Sequence, residues 1–176
     1  MIRKATADDL PEIVSIIGVV REGMSKGGNP QWNSGYPGEK EYREDIFRGD
    51  LYLDVREEGL AGFVTLNRMF PDEYAGVQWT TGIPAGTMHR LAVNPAFRKR
   101  GIARDLFDFA ERYFISRCMK SIRIDTFSLN RAAQELFKSS GYRFAGEIFM
   151  KGKSLPYFCY EKPLAGTNVS SGECIL

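Results

Sequence analysis

The stretch HRLAVNPAFRKRGIARDLF, residues 89–107, joins a strand pattern to an amphipathic helix through a short basic loop. Three cations, Arg98, Lys99 and Arg100, stand directly before Gly101 at the predicted start of the helix. The amino-terminal end of a helix carries the positive pole of the helix dipole, so cations are unfavourable there unless an anion binds nearby. The pattern therefore predicts an anion site in this loop.

The same stretch indicates which kind of anion binds. The N–H groups of a first helical turn have no partner within the helix, and Gly101 allows the backbone to approach a ligand closely. Two or three flanking cations supply more charge than one carboxylate needs, so we expect a phosphate-rich ligand. The loop is not a P-loop, because it lacks Gly-Lys-Ser/Thr. It is not a dinucleotide-binding turn, because it lacks G-x-G-x-x-G. A solvated basic loop remains the alternative for these residues alone.

Composition limits the class of protein. The chain has 176 residues, enough for one domain, with 43% hydrophobic and 26% charged residues. The formal net charge is only +2, so the cation cluster is local, which argues against a nucleic-acid partner. No apolar run reaches membrane-spanning length, so no membrane partner is expected. The three cysteines have no metal-like spacing; we expect reduced thiols, no metal and a cytoplasmic protein.

Hydrophobic periodicity predicts a mixed α/β sheet with helices on its faces. The second predicted helix has Tyr42, Ile46 and Phe47 on its apolar side, and the segment 67–87 is a long connection. We expect a single domain over 1–163 and a flexible tail over 164–176. The predicted strands cover residues 2–5, 51–55, 60–66, 89–93, 121–127, 142–150 and 157–161.

Two blocks of the sequence resemble the GNAT N-acetyltransferase superfamily. In the first block, a strand of the form Leu-x-Val-x-Pro leads into R/Q-x-x-G-x-G/A, which residues 98–103 match. The second block reads Asn, Ala, Leu-aromatic and Gly-aromatic at the family spacing, here Asn130, Ala133, Leu136-Phe137 and Gly141-Tyr142. The resemblance covers about residues 2–162. It implies a GNAT fold, with a mixed, mostly antiparallel sheet of about six to seven strands and helices on both faces.

The resemblance also implies acetyl-coenzyme A as co-substrate and a set of residues that hold it. The backbone of Leu91 and Val93 would pair with the pantetheine arm like an added strand. Asn130 would lie near the thioester, and Phe137 would lie at the coenzyme. The pyrophosphate would be held by the amides of Arg98, Lys99, Arg100, Gly101, Ile102 and Ala103.

The resemblance identifies the catalytic residues less definitely than the coenzyme-binding residues. The Val93 N–H is the expected donor to the carbonyl oxygen. His89, the only histidine, is a candidate base or water relay, although a structural strand histidine is the alternative. Asp72 and Glu73 are more distant candidates for the base. Phe137 replaces the family's common tyrosine acid, and a displaced acid at Tyr142 competes with a core role for that residue.

Three aromatic residues are candidates for contact with the acceptor. Trp32, Tyr36 and Trp79 lie in the two segments that surround the acceptor in this superfamily, although loop anchoring would also explain them. The predicted function is transfer of an acetyl group from acetyl-coenzyme A to a primary amine of a small molecule or peptide. A GNAT fold that binds coenzyme A as a sensor or interaction module, with little catalysis, is the alternative. The sequence identifies neither the amine nor whether the protein forms a homodimer.

Overall fold

The computed structural model describes residues 1–164, and residues 165–176 lie outside the described part of the chain. Four α-helices occur in the described residues: α1 (Leu10–Lys26), α2 (Glu39–Arg48), α3 (Ile102–Ile115) and α4 (Arg131–Ser139). The strands of the same residues are β1 (Ile2–Lys4), β2 (Leu51–Arg56), β3 (Gly59–Asn67), β4 (Ala85–Val93), β5 (Ser121–Phe127), β6 (Arg143–Ile148) and β7 (Tyr157–Pro163). Short 3₁₀ turns cover Ala7–Asp9, Asp72–Gly76 and Pro95–Phe97.

The described strands form one sheet in the order β1-β2-β3-β4-β5-β7-β6. The pairs β1–β2, β2–β3, β5–β7 and β6–β7 are antiparallel. The pair β4–β5 is parallel, with Ala85–Thr87 in register with Ser121–Arg123. The prediction of a mixed, mostly antiparallel α/β sheet of the GNAT type is therefore confirmed.

The chain divides into two compact units, and the first comprises Met1–Leu66 and His89–Phe109. Its core packs the apolar face of α1, including Ile13 and Ile17, with strand residues such as Leu53 and Phe63, all fully buried. The start of α1 is fixed by Asp9, whose carboxylate accepts hydrogen bonds from the Thr6 backbone (2.7 Å) and from Arg3. Mainly through its hydrogen bond to Arg3, the pKa of Asp9 falls to about 2.

The second unit comprises Asn67–Met88 and the chain from Ala110 onward. One of its core clusters joins Tyr74 and Val77 of the long connection to Phe127, Tyr157 and the free, buried thiol of Cys159. Several aromatic pairs in this unit lie at ordinary contact distance, such as Phe127 and Tyr157 with ring centroids 5.2 Å apart. The connection between β3 and β4 is therefore packed into a core, although the sequence predicted only that it was long.

The start of β4 differs from the prediction. The strand begins at Ala85 and not at His89, because Gly86 is used for packing and does not break the strand. A Cβ atom at Gly86 would lie 2.3 Å from the Phe114 ring, so only glycine allows α3 to pack this closely on the strand.

The predicted apolar face of α2 is wrong at one residue. Tyr42 is fully buried and Ile46 is half-buried, whereas Phe47 is 92% exposed. Residues four apart share a helix face, and Phe47 lies one position further round, away from the face that Tyr42 and Ile46 share. The exposed phenyl ring is a feature that periodicity did not predict.

The structure describes one residue of the predicted flexible tail over 164–176. Leu164, the first residue of that tail, is buried and its N–H donates to the Lys120 carbonyl at 2.8 Å. The rest of the tail lies outside the described residues. The boundaries of a single domain over 1–163 stay a prediction.

The state of the cysteines differs from the sequence prediction. Cys118 is disulfide-bonded, so the prediction of three reduced thiols is wrong for this residue. Cys174 lies outside the described residues.

None of the helices in residues 1–164 combines the length and the apolar character that crossing a membrane requires. The same residues contain no group of three or more histidine, cysteine, aspartate or glutamate side chains arranged to hold a metal ion.

Candidate functional site

The loop between β4 and α3 is fixed by hydrogen bonds to the neighbouring strand β3. The Asn94 N–H donates to the Ala61 carbonyl at 2.9 Å, and its side-chain amide donates to the Leu60 carbonyl at 2.9 Å. The Asn94 Oδ1 atom accepts from the Ala96 N–H at 3.1 Å, and Phe97 is buried beneath the loop. The start of α3 is thus positioned by the same loop that ends β4.

The loop backbone presents N–H groups at the start of α3. Lys99 and Gly101 have left-handed backbones, with φ of 61° and 82°. The Asp105 N–H donates to the Gly101 carbonyl at 3.0 Å, so the amides before Asp105 have no acceptor within the helix. A turn with N–H groups at a helix start is the backbone arrangement that binds phosphate groups. The sequence prediction of an anion site at Arg98–Ala103 stays a prediction.

A second glycine brings α3 close to the sheet. A Cβ atom at Gly62 would lie 2.8 Å from the Ala92 carbonyl oxygen and 2.9 Å from the Ile102 Cγ2 atom. Any larger residue at position 62 would force apart β3, β4 and the first turn of α3. The close approach explains why Ile102, the first helical residue, is buried while the loop before it is exposed.

The three loop cations are not equivalent. Arg100 forms an ion pair with Glu58 at 2.7 Å, and its guanidinium lies 4.9 Å from the centroid of the Phe97 ring. Within residues 1–164, Arg98 and Lys99 have no ion-pair partner, and both are exposed. Their charge is therefore available to an anion, whereas that of Arg100 is partly neutralised by Glu58.

The last five residues of β4 carry the predicted pairing groups. His89, Leu91 and Val93 are half-buried, and Ala92 between them is buried. Arg90 has a left-handed backbone with φ of 50°, unusual for a strand residue that is not glycine. The strand therefore changes its course at Arg90, directly before Leu91.

Asn130 and Phe137 lie on α4, in the second unit. Asn130 is the N-cap residue, and its Oδ1 atom accepts from the Ala133 N–H at 3.3 Å. The Phe137 ring packs against Tyr160 with ring centroids 5.4 Å apart and lies 6.3 Å from Tyr142. Tyr142 is buried, and burial raises its pKa well above the ordinary value, with a smaller effect of Glu111.

Of the three aromatic acceptor candidates, Trp32 and Tyr36 belong to the first unit. Trp32 is buried in the core with α1 and β2, which favours an anchoring role. Tyr36 is 42% exposed, and its hydroxyl accepts a hydrogen bond from Arg90 at 3.2 Å. The exposed Tyr36 ring is the one of these two that a ligand can contact without a rearrangement of the core.

Trp79 lies in the long connection of the second unit. Its Nε1–H donates to the Tyr74 carbonyl at 3.0 Å, and the two rings lie 4.9 Å apart. The Arg123 guanidinium lies 4.7 Å from the Trp79 ring centroid, within the range of a cation–π contact. Trp79 is half-buried, so part of its ring remains accessible.

A carboxylate on β5 was missed by the sequence analysis. Asp125 is half-buried, and its Oδ2 atom accepts a hydrogen bond from the Tyr74 hydroxyl at 2.8 Å. Burial raises the pKa of Asp125 from 3.8 to about 6; the Tyr74 hydrogen bond opposes this rise, and the charge of Glu73 adds to it. A carboxylate with a pKa near neutrality is suited to accepting a proton.

A signal for Asp125 was present in the sequence. The residue lies within SIRIDTF, a strand with apolar residues on one face and polar residues on the other. An aspartate inside such a strand is costly to bury, so it indicates a pairing or a function. The partner Tyr74 lies 51 positions earlier in the chain, and no local pattern connects the two residues.

The family model described as the acetyltransferase (GNAT) family matches residues 21–142. No curated protein matches the chain. A GNAT-family acetyltransferase from Streptococcus agalactiae is 24% identical, with a TM-score of 0.80 over 93% of this chain and 94% of that chain.

Another solved structure resembles the chain through its fold. A ribosomal-protein-alanine N-acetyltransferase from Brucella melitensis is 19% identical, with a TM-score of 0.70 over 93% of this chain and 99% of that chain. At such identities the structural likeness establishes the fold alone. The match to the family model, which spans more than half of the chain, establishes the family.

Proposed function

The chain belongs to the GNAT acetyltransferase family, and on that premise we propose that it transfers the acetyl group of acetyl-coenzyme A to a primary amine. The acceptor is a small molecule or a peptide. The observation that carries the proposal is the turn at the start of α3. Lys99 and Gly101 there have left-handed backbones, the first helical amides have no acceptor within the helix, and Arg98 and Lys99 have no ion-pair partner in residues 1–164.

Each part of this turn suits one feature of the coenzyme. The amides of Gly101, Ile102 and Ala103, at the start of a helix, would bind the phosphates. Arg98 and Lys99 add charge for a ligand with several phosphates, and Arg100 contributes less because Glu58 already pairs with it. The backbone of Leu91 and Val93 on β4 would bind the pantetheine arm as an added strand.

The reaction needs a proton acceptor and an oxyanion donor. When bound, acetyl-coenzyme A supplies a thioester whose carbonyl carbon an unprotonated amine can attack. We assign the Val93 N–H as the donor that stabilises the developing oxyanion. We assign Asn130 and Phe137 to coenzyme contacts at α4. The Phe137 ring has no proton to give, so the departing thiolate, with a free-thiol pKa of about 8.5, takes its proton from solvent.

We propose Asp125 as the general base. Its pKa of about 6 leaves it mostly ionised near neutral pH but still able to accept a proton from an ammonium group. The Tyr74 hydroxyl fixes one carboxylate oxygen at 2.8 Å, which leaves the other oxygen for the acceptor. His89 on β4 remains the second candidate for the base or for a water relay. Asp72 and Glu73, in the 3₁₀ turn beside Tyr74, remain the more distant candidates.

The remaining assignments concern the surroundings of the reaction. Tyr36 and the accessible part of Trp79 are proposed as acceptor contacts, and Trp32 as the anchor of the loop between α1 and α2. A cytoplasmic location is proposed because acetyl-coenzyme A is supplied inside the cell. A sensor or interaction module that binds coenzyme A without efficient catalysis is the alternative, favoured by the absence of a phenol at Phe137.

The pH dependence of kcat/KM tests the base assignment. The wild type should lose activity as the pH falls through about 6, because Asp125 becomes protonated. Asp125→Asn should lower kcat/KM by about 10²-fold and remove this acidic limb. Tyr74→Phe should move the limb to higher pH, because the lost hydrogen bond no longer lowers the Asp125 pKa.

His89→Gln provides the matched comparison. If Asp125 is the base, this variant keeps the acidic limb. A limb that persists in Asp125→Asn and disappears in His89→Gln would assign the base to His89. Acetyl-coenzyme A binding by the wild type, without coenzyme release for any amine, would support the non-catalytic alternative.

A further inference from the structure

Arg90 combines an unfavourable backbone with an unusually well-satisfied side chain. Its φ of 50° lies in the left-handed region, although it is a long-chain residue inside the strand β4. Such a conformation persists only where the surrounding structure holds it, and it recurs at functional positions. The neighbouring residue is Leu91, the first of the two residues that the proposed function assigns to the pantetheine arm.

The side chain of Arg90 is held by Asp45 of α2. The Arg90 Nε and Nη2 atoms donate to the two carboxylate oxygens of Asp45 at 2.8 and 2.7 Å, a two-point arrangement that fixes the guanidinium in one orientation. Asp45 is 1% exposed, and the Thr65 hydroxyl of β3 donates to it at 2.7 Å. One buried carboxylate therefore connects α2, β3 and β4.

The same guanidinium also contacts the loop between α1 and α2. The Arg90 Nη1 atom donates to the Tyr36 hydroxyl at 3.2 Å. Tyr36 is one of the proposed acceptor contacts, so a single side chain contacts that loop while its own backbone precedes the pairing groups of β4. Of the two residues that the guanidinium contacts, Asp45 is 1% exposed and Tyr36 is 42% exposed.

We propose that Arg90, held by Asp45, is a positioning residue that maintains the left-handed turn in β4 and thereby aims the backbone groups of Leu91 and Val93. This inference rests on the proposed role of β4 in binding acetyl-coenzyme A. A left-handed residue in a strand locally redirects the chain, so the N–H and C=O groups after it point differently from those of a regular strand. Without the ion pair, Arg90 relaxes toward ordinary strand geometry and those groups turn away from the pantetheine arm.

The nature of the ion pair supports a positioning role. Replacing a buried ion pair with apolar residues is often neutral or stabilising, so such a pair is weak support for a role in stability alone. The Asp54–Arg56 pair on β2 offers a comparison within the same unit. Asp54 is also fully buried and pairs with an arginine at 2.6 Å, but neither residue lies on β4.

The test compares acetyl-coenzyme A binding by Asp45→Asn and by the matched control Asp54→Asn, with thermal unfolding measured for both. Asp45→Asn should raise the Kd by about tenfold, because Arg90 loses the charge that holds its strained backbone. Asp54→Asn should lower thermal stability and leave the Kd within about twofold, since Arg56 keeps its second partner, Asp105 of α3, and no residue of β4 is involved.

Two double variants separate the backbone from the side chain. Glycine adopts a left-handed backbone without strain, so Asp45→Asn combined with Arg90→Gly should recover most of the lost binding. Asp45→Asn combined with Arg90→Ala should not recover it. Both double variants lack the Arg90 and Asp45 charges, so they differ only in the residue at position 90, and thermal unfolding is measured for both.

The outcomes distinguish this inference from the proposed function. If the wild type does not bind acetyl-coenzyme A, the proposed function fails. If the wild type binds and Asp45→Asn binds as well as Asp54→Asn, the positioning role is overturned while the proposed function stands. Equal recovery by the glycine and alanine double variants would also overturn it, because the left-handed backbone would then have no effect on binding.

Discussion

Asp125 is a residue whose environment opposes its charge. Burial raises its folded-state pKa from 3.8 to about 6, so the native protein binds this proton more tightly than the unfolded chain does. Above pH 6 the carboxylate is ionised in both states, and its burial lowers the free energy of unfolding. As the pH falls through about 6 toward 4, the native state takes up the proton first and stability rises.

Because the free energy of unfolding rises as Asp125 takes up a proton, Asp125→Asn should change the pH dependence of stability. Between pH 7 and pH 5 the group should add about 1 kcal/mol to the free energy of unfolding of the wild type relative to the variant. At pH 7 the variant should be the more stable protein, although it is the less active one. Urea unfolding at the two pH values measures both quantities. A variant less stable than the wild type at pH 7 would show that the ionised carboxylate is well stabilised in the fold.

Tyr142 and Phe137 decide whether the protein contains a phenolic acid. Tyr142 is 3% exposed, and its pKa is raised well above the ordinary value, mainly by burial. A phenol that holds its proton so strongly is a poor donor near neutral pH. We therefore predict that kcat rises with pH to a plateau and that Tyr142→Phe leaves the plateau within about twofold. A descending alkaline limb that is lost in Tyr142→Phe would assign the acid to Tyr142.

At the scale of elements, the strand, loop and helix of residues 89–107 were well predicted from sequence. Their signals are local: a strand pattern, a glycine with cations before it, and regular apolar spacing over α3. The four residues of β4 before His89 were missed, because Gly86 and Pro84 resemble turn residues in sequence. The packing of Phe114 on Gly86 decides the outcome, and it is a contact between residues far apart in the chain.

The site residues that could be predicted from sequence are those with local signals, and the ones that could not depend on distant contacts. The basic loop could be predicted because its residues are consecutive. The Asp125–Tyr74 and Arg90–Asp45 pairs could not, because their members are 51 and 45 positions apart. A single sequence carries no information about which distant polar residues meet. Burial of the carboxylates at Asp125 and Asp45 is what identifies the pairs in the structure.

The start of α3 yields a prediction with a close control. Gly101 has φ of 82°, and a Cβ atom there would meet no other atom of the described chain within 4 Å. Gly101→Ala therefore strains the backbone without a clash, and it should raise the acetyl-coenzyme A Kd by about tenfold. Gly152 also has a left-handed φ, 79°, with open space around it, but it lies in the turn between β6 and β7.

Gly152→Ala should show the same strain without the effect on binding. Calorimetry with acetyl-coenzyme A, together with thermal unfolding, measures both variants. If the two variants lose binding equally, the loss reports general destabilisation, and the assignment of the loop fails. Full binding by Gly101→Ala would also contradict the assignment.

At the scale of the whole molecule, composition excluded some classes and left the substrate open. A net charge of +2 made the basic loop a local feature, and the family model confirms the predicted family. The acceptor is a different matter, because a shared fold supports many amine substrates. Its identity depends on side chains such as Tyr36 and Trp79, which come from separate loops and carry no family signature.

The central claim is that the protein moves an acetyl group from acetyl-coenzyme A to a primary amine. The most direct measurement is release of free coenzyme A thiol from acetyl-coenzyme A across a panel of small primary amines and peptides, with mass spectrometry of the products. We predict release that requires an acceptor amine, with the acetyl group recovered on its nitrogen, and that is strongly reduced in Asp125→Asn. Amine-independent release, or tight binding of acetyl-coenzyme A with no acetylated product from any amine, would contradict the claim.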